Sequence, residues 1–198
     1  MSRAHSEPPA LRGFTYVRAL GSGGFSDVFL YQQELPKRLV AVKVLLTDGL
    51  TPASRAAFVA EANLMAQLSH PYIVKIYHAD VSDDGRPYLI MEYLAGQNLS
   101  EQYKRQPLSV VEALRTGVRL SSAIATAHAA GVLHRDIKPA NVLTNDYGHP
   151  ALTDFGIASA LEEDLPTHTT TRAALNESGA TTGSQSVGMS IPWSPPEM

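Results

Sequence analysis

The residues best suited to chemistry lie close together in the sequence: His134-Arg135-Asp136-Ile137-Lys138-Pro139-Ala140-Asn141, then Asp154-Phe155-Gly156 beginning 13 residues after Asn141. Asn141 and Asp154 are hard oxygen ligands of the kind that hold magnesium against a polyphosphate. Asp136 is a separate carboxylate, able to orient a hydroxyl nucleophile and take its proton. Any one of these triplets could be an incidental group of surface polar residues. Their order and spacing together point to phosphoryl chemistry.

Two further features lie upstream. Gly21-Ser22-Gly23-Gly24-Phe25-Ser26-Asp27-Val28 is a glycine-rich run in which bare backbone amides can approach a phosphate closely. Alone it reads equally well as a flexible glycine hairpin. A dinucleotide-binding loop would need a helix directly afterwards, and Val28 to Gln32 has the composition of a strand. In Ala41-Val42-Lys43, strict alternation puts Lys43 on the face of Ala41 and Leu45, where an unpaired ammonium is costly. Glu61, within Phe58-Val59-Ala60-Glu61, is a candidate counter-charge. The alternatives are a solvent-facing lysine on an edge strand and a solvated glutamate on a helix.

The elements that must position these groups can be read from the pattern. Runs rich in Val, Tyr, Leu and Phe at 14–20, 27–33, 39–46, 73–79 and 88–93 predict five strands. Asp84-Gly85 predicts a type I′ hairpin turn, and hence an antiparallel pair, between the last two. Thr51 as N-cap, Pro52 at the first helical position and apolar residues at Phe58, Ala62, Met65 and Leu68 predict one amphipathic helix. Ser109 and Glu112 form a capping box before a second helical run that Gly131 ends. Its apolar face is read as Leu114, Val118, Ser121, Ile124, Ala125 and His128. Residues 1–12 read as a flexible lead-in. Ten of the 27 residues from Asp164 to Ser190 are Ser or Thr, which predicts a mobile loop over 162–190.

Composition narrows the function classes. The 198 residues suit one domain or two small lobes, and 44% hydrophobic with only 18% charged residues predicts a folded chain. A net charge of −3 supplies no basic field, so nucleic acid is not an expected partner. The absence of cysteine removes disulfides and thiolate chemistry. No apolar run approaches the ~18 residues of a membrane span, and a cytoplasmic location is expected.

Taken together, these motifs resemble the catalytic domain of the bacterial, eukaryotic-like Ser/Thr protein kinases, over residues 13 to 198. The resemblance implies an α+β, two-lobed fold. Residues 13–93 would form a small lobe of a five-stranded antiparallel sheet plus one helix. Residues 94–198 would form part of a mainly helical large lobe, with the catalytic loop and activation segment. It implies ATP and Mg²⁺ as cofactors and a protein substrate. Asp136 would be the catalytic base, Lys138 would steady the transferring phosphoryl group, and Asn141 and Asp154 would ligate magnesium. Lys43, held by Glu61, would contact the α- and β-phosphates. Leu20, Gly21, Gly23, Val28, Ala41, Met91, Glu92, Leu94, Asn98 and Leu143 would bind the nucleotide, with the backbone of Glu92 and Leu94 bonding adenine and Asn98 near the ribose. Phe155, His134 and Met65 resemble members of the family's stacked apolar spine. Lys138, two residues after the aspartate, resembles the Ser/Thr mark. Thr182 and Ser184 are candidate autophosphorylation sites.

The chain also departs from the family. Ser26 stands where a third glycine is common, Met189 replaces a usual glycine, Ser190 a usual threonine, and Pro195 an alanine near Glu197. In the family roughly the last third of the domain follows this point, including helices that would cover Val118 to His128. A second function therefore stands beside the kinase: an ATP-binding, pseudokinase-like or regulatory fragment without efficient transfer.

Overall fold

Residues 3–24, 26–46 and 51–155 are described by the computed structural model of the chain; for residues 52–55, 57 and 61 the description covers the backbone only. The expected five strands are present as β1 Phe14–Ser22, β2 Ser26–Gln33, β3 Arg38–Leu45, β4 Ile76–Val81 and β5 Pro87–Glu92. They form one antiparallel sheet in the order β1-β2-β3-β5-β4. Alternation sorts its side chains between two faces. Phe29, Tyr31, Val40, Val42, Val44, Tyr88 and Ile90 make a buried cluster on the outer face. On the inner face Leu45 and Leu89 pack with α1, Pro52–Gln67, which buries Phe58, Ala62 and Met65, with Leu68 just beyond its end, as their spacing predicts.

Three local expectations are corrected. The fourth strand begins at Ile76, not 73, because Ile73 and Val74 pair elsewhere. Val74 N–H donates to Leu152 O at 2.8 Å, and Leu152 N–H to Tyr72 O at 2.8 Å. The β4–β5 turn is not type I′, since only Gly85 of the pair has a positive φ, +83°. Gly85 N–H instead closes a turn on Ser82 O at 2.8 Å, and the Asp84 carboxylate accepts from Ser82 Oγ and from the Arg86 guanidinium. The segment ahead of β1, expected as a free lead-in, lies on the outer face: Pro9 and Leu11 are buried, and Tyr31 Oη donates to Pro9 O at 2.6 Å.

Beyond β5 follow α2 Leu99–Arg105, α3 Val110–Ala129, a 3-10 turn Pro139–Asn141, and a small antiparallel hairpin of β6 Val142–Thr144 and β7 Pro150–Leu152. The Ser109–Glu112 capping box forms as expected, and Gly131, at φ +77°, follows the helix end. The buried face of α3 is a correction. Ala123 and Ala127 are buried, with Leu120 and Ile124 packed beside them, whereas Leu114 and Val118 are 66% and 71% exposed. Alanines let the helix axis approach the core closely, so the larger side chains do not define the packed stripe. Gly96 marks another close approach: a Cβ there would sit 2.0 Å from Thr144 O.

Candidate active site

The β6–β7 hairpin decides where the chemistry-bearing residues meet. Its register, Val142↔Leu152 through Thr144↔Pro150, sets the residues before β6 beside those after β7. Thr153 N–H donates to Asn141 O at 3.0 Å, so Asn141 and Asp154 flank the same end of the hairpin. Neither strand was foreseen, because three residues are too few to show a period. Side-chain bonds hold the turn between them: Asn145 Oδ1 accepts from the Tyr147 and His149 amides, and Gly148 takes φ +73°.

Asn141, 6% exposed, donates from Nδ2 to Asp136 O at 2.9 Å and to Asp136 Oδ2 at 3.0 Å. Lys138 Nζ lies 2.6 Å from the same Oδ2. Asp136 is thus oriented by an amide and an ammonium. His134, 2% exposed, holds the loop from beneath: Asp136 N–H donates to Nδ1 at 3.2 Å, which leaves Nε2–H to donate to Thr153 O at 2.9 Å. Burial keeps the His134 pKa below its ordinary value, against the opposing pull of its backbone hydrogen bonds and of Asp136 and Asp154. Its ring lies 4.5 Å from that of Phe155, itself 2% exposed. Arg135 and Asp154 have φ of +61° and +58°, a left-handed conformation that is uncommon outside glycine and concentrates at functional sites.

Lys43 faces inward as alternation requires and is 9% exposed; its Nζ is 2.7 Å from Asp154 Oδ1. The cost of a buried ammonium is therefore met by a residue 111 positions away. Glu61 lies on α1, and its side chain is outside the described residues. A cavity of about 20 Å³ beside Lys43 is bordered by Met65, Met91, Leu152 and Phe155, so Met65 and Phe155 line the same cavity.

Between sheet and hairpin lies a separate apolar cluster. Ala41 and Met91 are buried in it, with Leu20, Val28, Leu94 and Leu143 packed against them. These are the six apolar residues expected to bind nucleotide. Val74, Ala151 and Tyr93 join them and were missed. Glu92 N–H donates to Lys75 O at 2.9 Å, so only its carbonyl can serve a ligand, whereas no backbone hydrogen bond engages Leu94 among the described residues. Asn98 caps α2, its Oδ1 accepting from Glu101 N–H at 2.9 Å. At Gly21 and Gly24 an added Cβ would meet nothing within 4 Å, and at Gly23 nothing nearer than 3.5 Å. None of these three has a positive φ, so the chain's own packing does not demand glycine there.

Thr182, Ser184, the expected loop 162–190, Met189, Ser190, Pro195 and Glu197 lie outside the described residues. No helix among the described residues is long and apolar enough to cross a membrane.

The protein kinase domain family matches residues 14–185. The serine/threonine-protein kinase PknK of Mycobacterium tuberculosis is 45% identical over 148 residues, 74% of this chain and 13% of that protein. PrkC of Bacillus subtilis is 39% identical over 158 residues, 79% of this chain and 24% of that one. The chain thus spans between an eighth and a quarter of the length of these two curated relatives. Among solved structures, the crystal structure of a point mutant of the Mycobacterium tuberculosis PknI kinase domain superposes with a TM-score of 0.67 at 32% identity, covering 80% of this chain and 64% of that one. The sheet with its single helix and the helical part beyond it are accordingly the small lobe and part of the large lobe of a two-lobed α+β fold, and this chain belongs to the protein kinase domain family.

Proposed function

We propose that this chain binds ATP between the sheet and the β6–β7 hairpin and transfers its γ-phosphoryl group to a Ser or Thr hydroxyl of a protein substrate. The observation that carries this reading is two contact sets at one end of the hairpin, Lys43 with Asp154 at 2.7 Å and Asp136 with Lys138 and Asn141 at 2.6 to 3.0 Å, tied by the Thr153 N–H bond to Asn141 O and lying beside an apolar slot to which β1, β2, β3, β5 and the hairpin all contribute. Leu20 and Val28 would close over the adenine from above, Ala41 from the sheet and Leu143 from below. The Glu92 carbonyl and the Leu94 amide would read its polar edge. The glycines, whose Cβ positions face open space, would let backbone amides reach the phosphates.

The donor set suits magnesium. Asn141 turns its Nδ2 to Asp136, which leaves Oδ1 as a ligand, and Asp154 contributes a carboxylate. Among the described residues no three His, Asp or Glu side chains form a protein-only metal cage. A hard cation held by one or two protein oxygens and completed by phosphates fits that arrangement. When bound, the ion would neutralise charge on the phosphates. Asp136 would hold the substrate hydroxyl and accept its proton, while Lys138 would offset negative charge near the transferred group. Lys43 would orient the α- and β-phosphates.

Thermal melts with and without ATP and Mg²⁺ test the binding half. Nucleotide at about 100 times Kd should stabilise the chain by roughly 2.7 kcal/mol. Radiolabel transfer to a generic protein substrate tests the second half, with Asp136→Asn and Lys43→Met as controls. Absence of a ligand-dependent shift would overturn the proposal; a shift without transfer would leave the ATP-binding, non-transferring alternative.

A further inference from the structure

Asp27 is the only fully buried acidic residue among the described residues, and its surroundings are unrelated to the catalytic cluster. It is the second residue of β2, three residues after Gly24, and alternation sends it to the outer face while its neighbour Val28 faces the apolar slot. Its partners come from the segment ahead of β1. Arg3 Nη2 lies 2.5 Å from Oδ1, Ser6 N–H donates to Oδ2 at 2.7 Å, and His5 Nδ1 is 3.8 Å from Oδ1. Burial alone would raise the carboxyl pKa, but the hydrogen bonds from Ser6 and Arg3 outweigh it and hold the group below its usual value. The same guanidinium nitrogen reaches Gly23 O at 3.5 Å, so Arg3 stands across both arms of the glycine-rich loop.

The rest of the segment is pinned further along the outer face. Arg86 Nη1 donates to Ser6 Oγ at 3.3 Å, Tyr31 Oη donates to Pro9 O at 2.6 Å, and Leu11 is buried in the outer apolar cluster. Leu11, Pro9 and Tyr31 would anchor the strap to the rigid middle of the sheet whatever happens near the loop. Arg3 and Ser6 act where the sheet gives way to the glycines.

We propose that residues 3–11 form a strap latched at Asp27, and that this latch positions the glycine-rich loop and so sets the affinity for nucleotide. The inference rests on the ATP-binding reading above and adds a positioning residue on the opposite face of the sheet from the nucleotide. Glycines cost more backbone entropy to fix than other residues. A latch on the strand that leaves the loop keeps the loop in one arrangement before the ligand arrives. Releasing it divides the population among other arrangements, and apparent affinity falls in proportion to the competent fraction.

The test uses the full chain, Arg3→Ala, Asp27→Asn, the double variant and Arg3→Lys. Two readouts are taken: amide hydrogen exchange at residues 21–24 without ligand, and affinity for a fluorescent ATP analogue with Mg²⁺. The expected result is faster exchange in the glycine-rich run and affinity lower by about five-fold in each single variant, the effect of a competent fraction reduced to about one fifth. The double variant should be no worse than either single one, and Arg3→Lys should recover most of the affinity. Unchanged affinity in Arg3→Ala, when the unsubstituted chain binds, would overturn the latch; so would additive losses in the double variant. If the unsubstituted chain binds no nucleotide, the ATP reading fails, and exchange alone decides the strap: equal rates at residues 21–24 refute it. Should Asp27→Asn fail to fold, Arg3→Ala still decides, because Arg3 is 43% exposed and its loss leaves the strap's apolar anchors in place.

Discussion

Lys43 Nζ and Asp154 Oδ1 meet at 2.7 Å across the cleft between β3 and the segment after β7. The pair joins a group expected to hold phosphates to one expected to hold magnesium, so each substitution should impair a different part of ligand binding. Lys43→Met should lower MgATP affinity at least about ten-fold, equal to about 1.4 kcal/mol. Asp154→Asn should weaken the dependence of nucleotide binding on magnesium more than binding without it. Titration calorimetry of both variants, with Mg²⁺ and with EDTA, separates these effects. Wild-type behaviour in both would remove Lys43 and Asp154 from the site.

The two bonds from Asn141 Nδ2 to Asp136 predict that the two residues fail differently. Asp136→Asn removes the proton acceptor and should leave nucleotide affinity within about two-fold while cutting transfer by about 10²-fold or more. Asn141→Ala removes an expected metal ligand and also one of the groups that orient Asp136, so affinity in the presence of Mg²⁺ and transfer should both fall. Equal profiles for the two variants, measured by nucleotide titration and single-turnover transfer, would contradict this division of roles.

The sequence shows these residues more readily than the geometry that joins them. The five strands and α1 are legible because their apolar residues repeat over six or more positions, and Phe58, Ala62, Met65 and Leu68 are buried as their spacing implies. The α3 face is misread because pattern reading favours Leu114 and Val118, whereas packing selects Ala123 and Ala127 for their small size. The strap is missed for a different reason: residues 3–11 have no periodicity, and their order comes from contacts with Asp27 and Tyr31 on a strand more than 20 positions away. Likewise, Lys43 announces its need for an anion, but nothing local names Asp154 as the one that answers.

Two glycines should respond oppositely to the same substitution. Gly96→Ala would place a Cβ 2.0 Å from Thr144 O, a backbone atom that cannot swing aside, so the segment linking β5 to α2 must separate from β6. Its cost should reach or exceed the upper end of the roughly 1–3 kcal/mol seen for overpacking. Gly21→Ala meets nothing within 4 Å, so it should change stability by less than about 0.5 kcal/mol, yet it should weaken ATP binding by intruding where phosphates approach. Urea denaturation and nucleotide titration of both variants check the contrast. A Gly96→Ala chain of normal stability would show that the approach to Thr144 is not a fixed constraint.

His134 should make the stability of the loop carrying Asp136 depend on pH. Its pKa in the folded chain is depressed by burial below the ordinary value of about 6.5, with Asp136 and Asp154 opposing the shift. As pH falls through about 6.5, the unfolded chain takes up a proton at this residue that the folded chain refuses, so stability falls with pH until the folded pKa is reached. Above about pH 6.5 both states carry neutral imidazole and the contribution is flat. Protonation also costs the Nδ1 acceptor that holds the Asp136 amide at 3.2 Å, which would disturb the loop before global unfolding. Tm measured from about pH 8 to 5 should therefore decline below about pH 6.5 in the unsubstituted chain. His134→Gln retains a donor for Thr153 O and does not titrate, so it should lower Tm at about pH 8 but flatten the decline. An identical slope in that variant would place the pH sensitivity elsewhere in the chain.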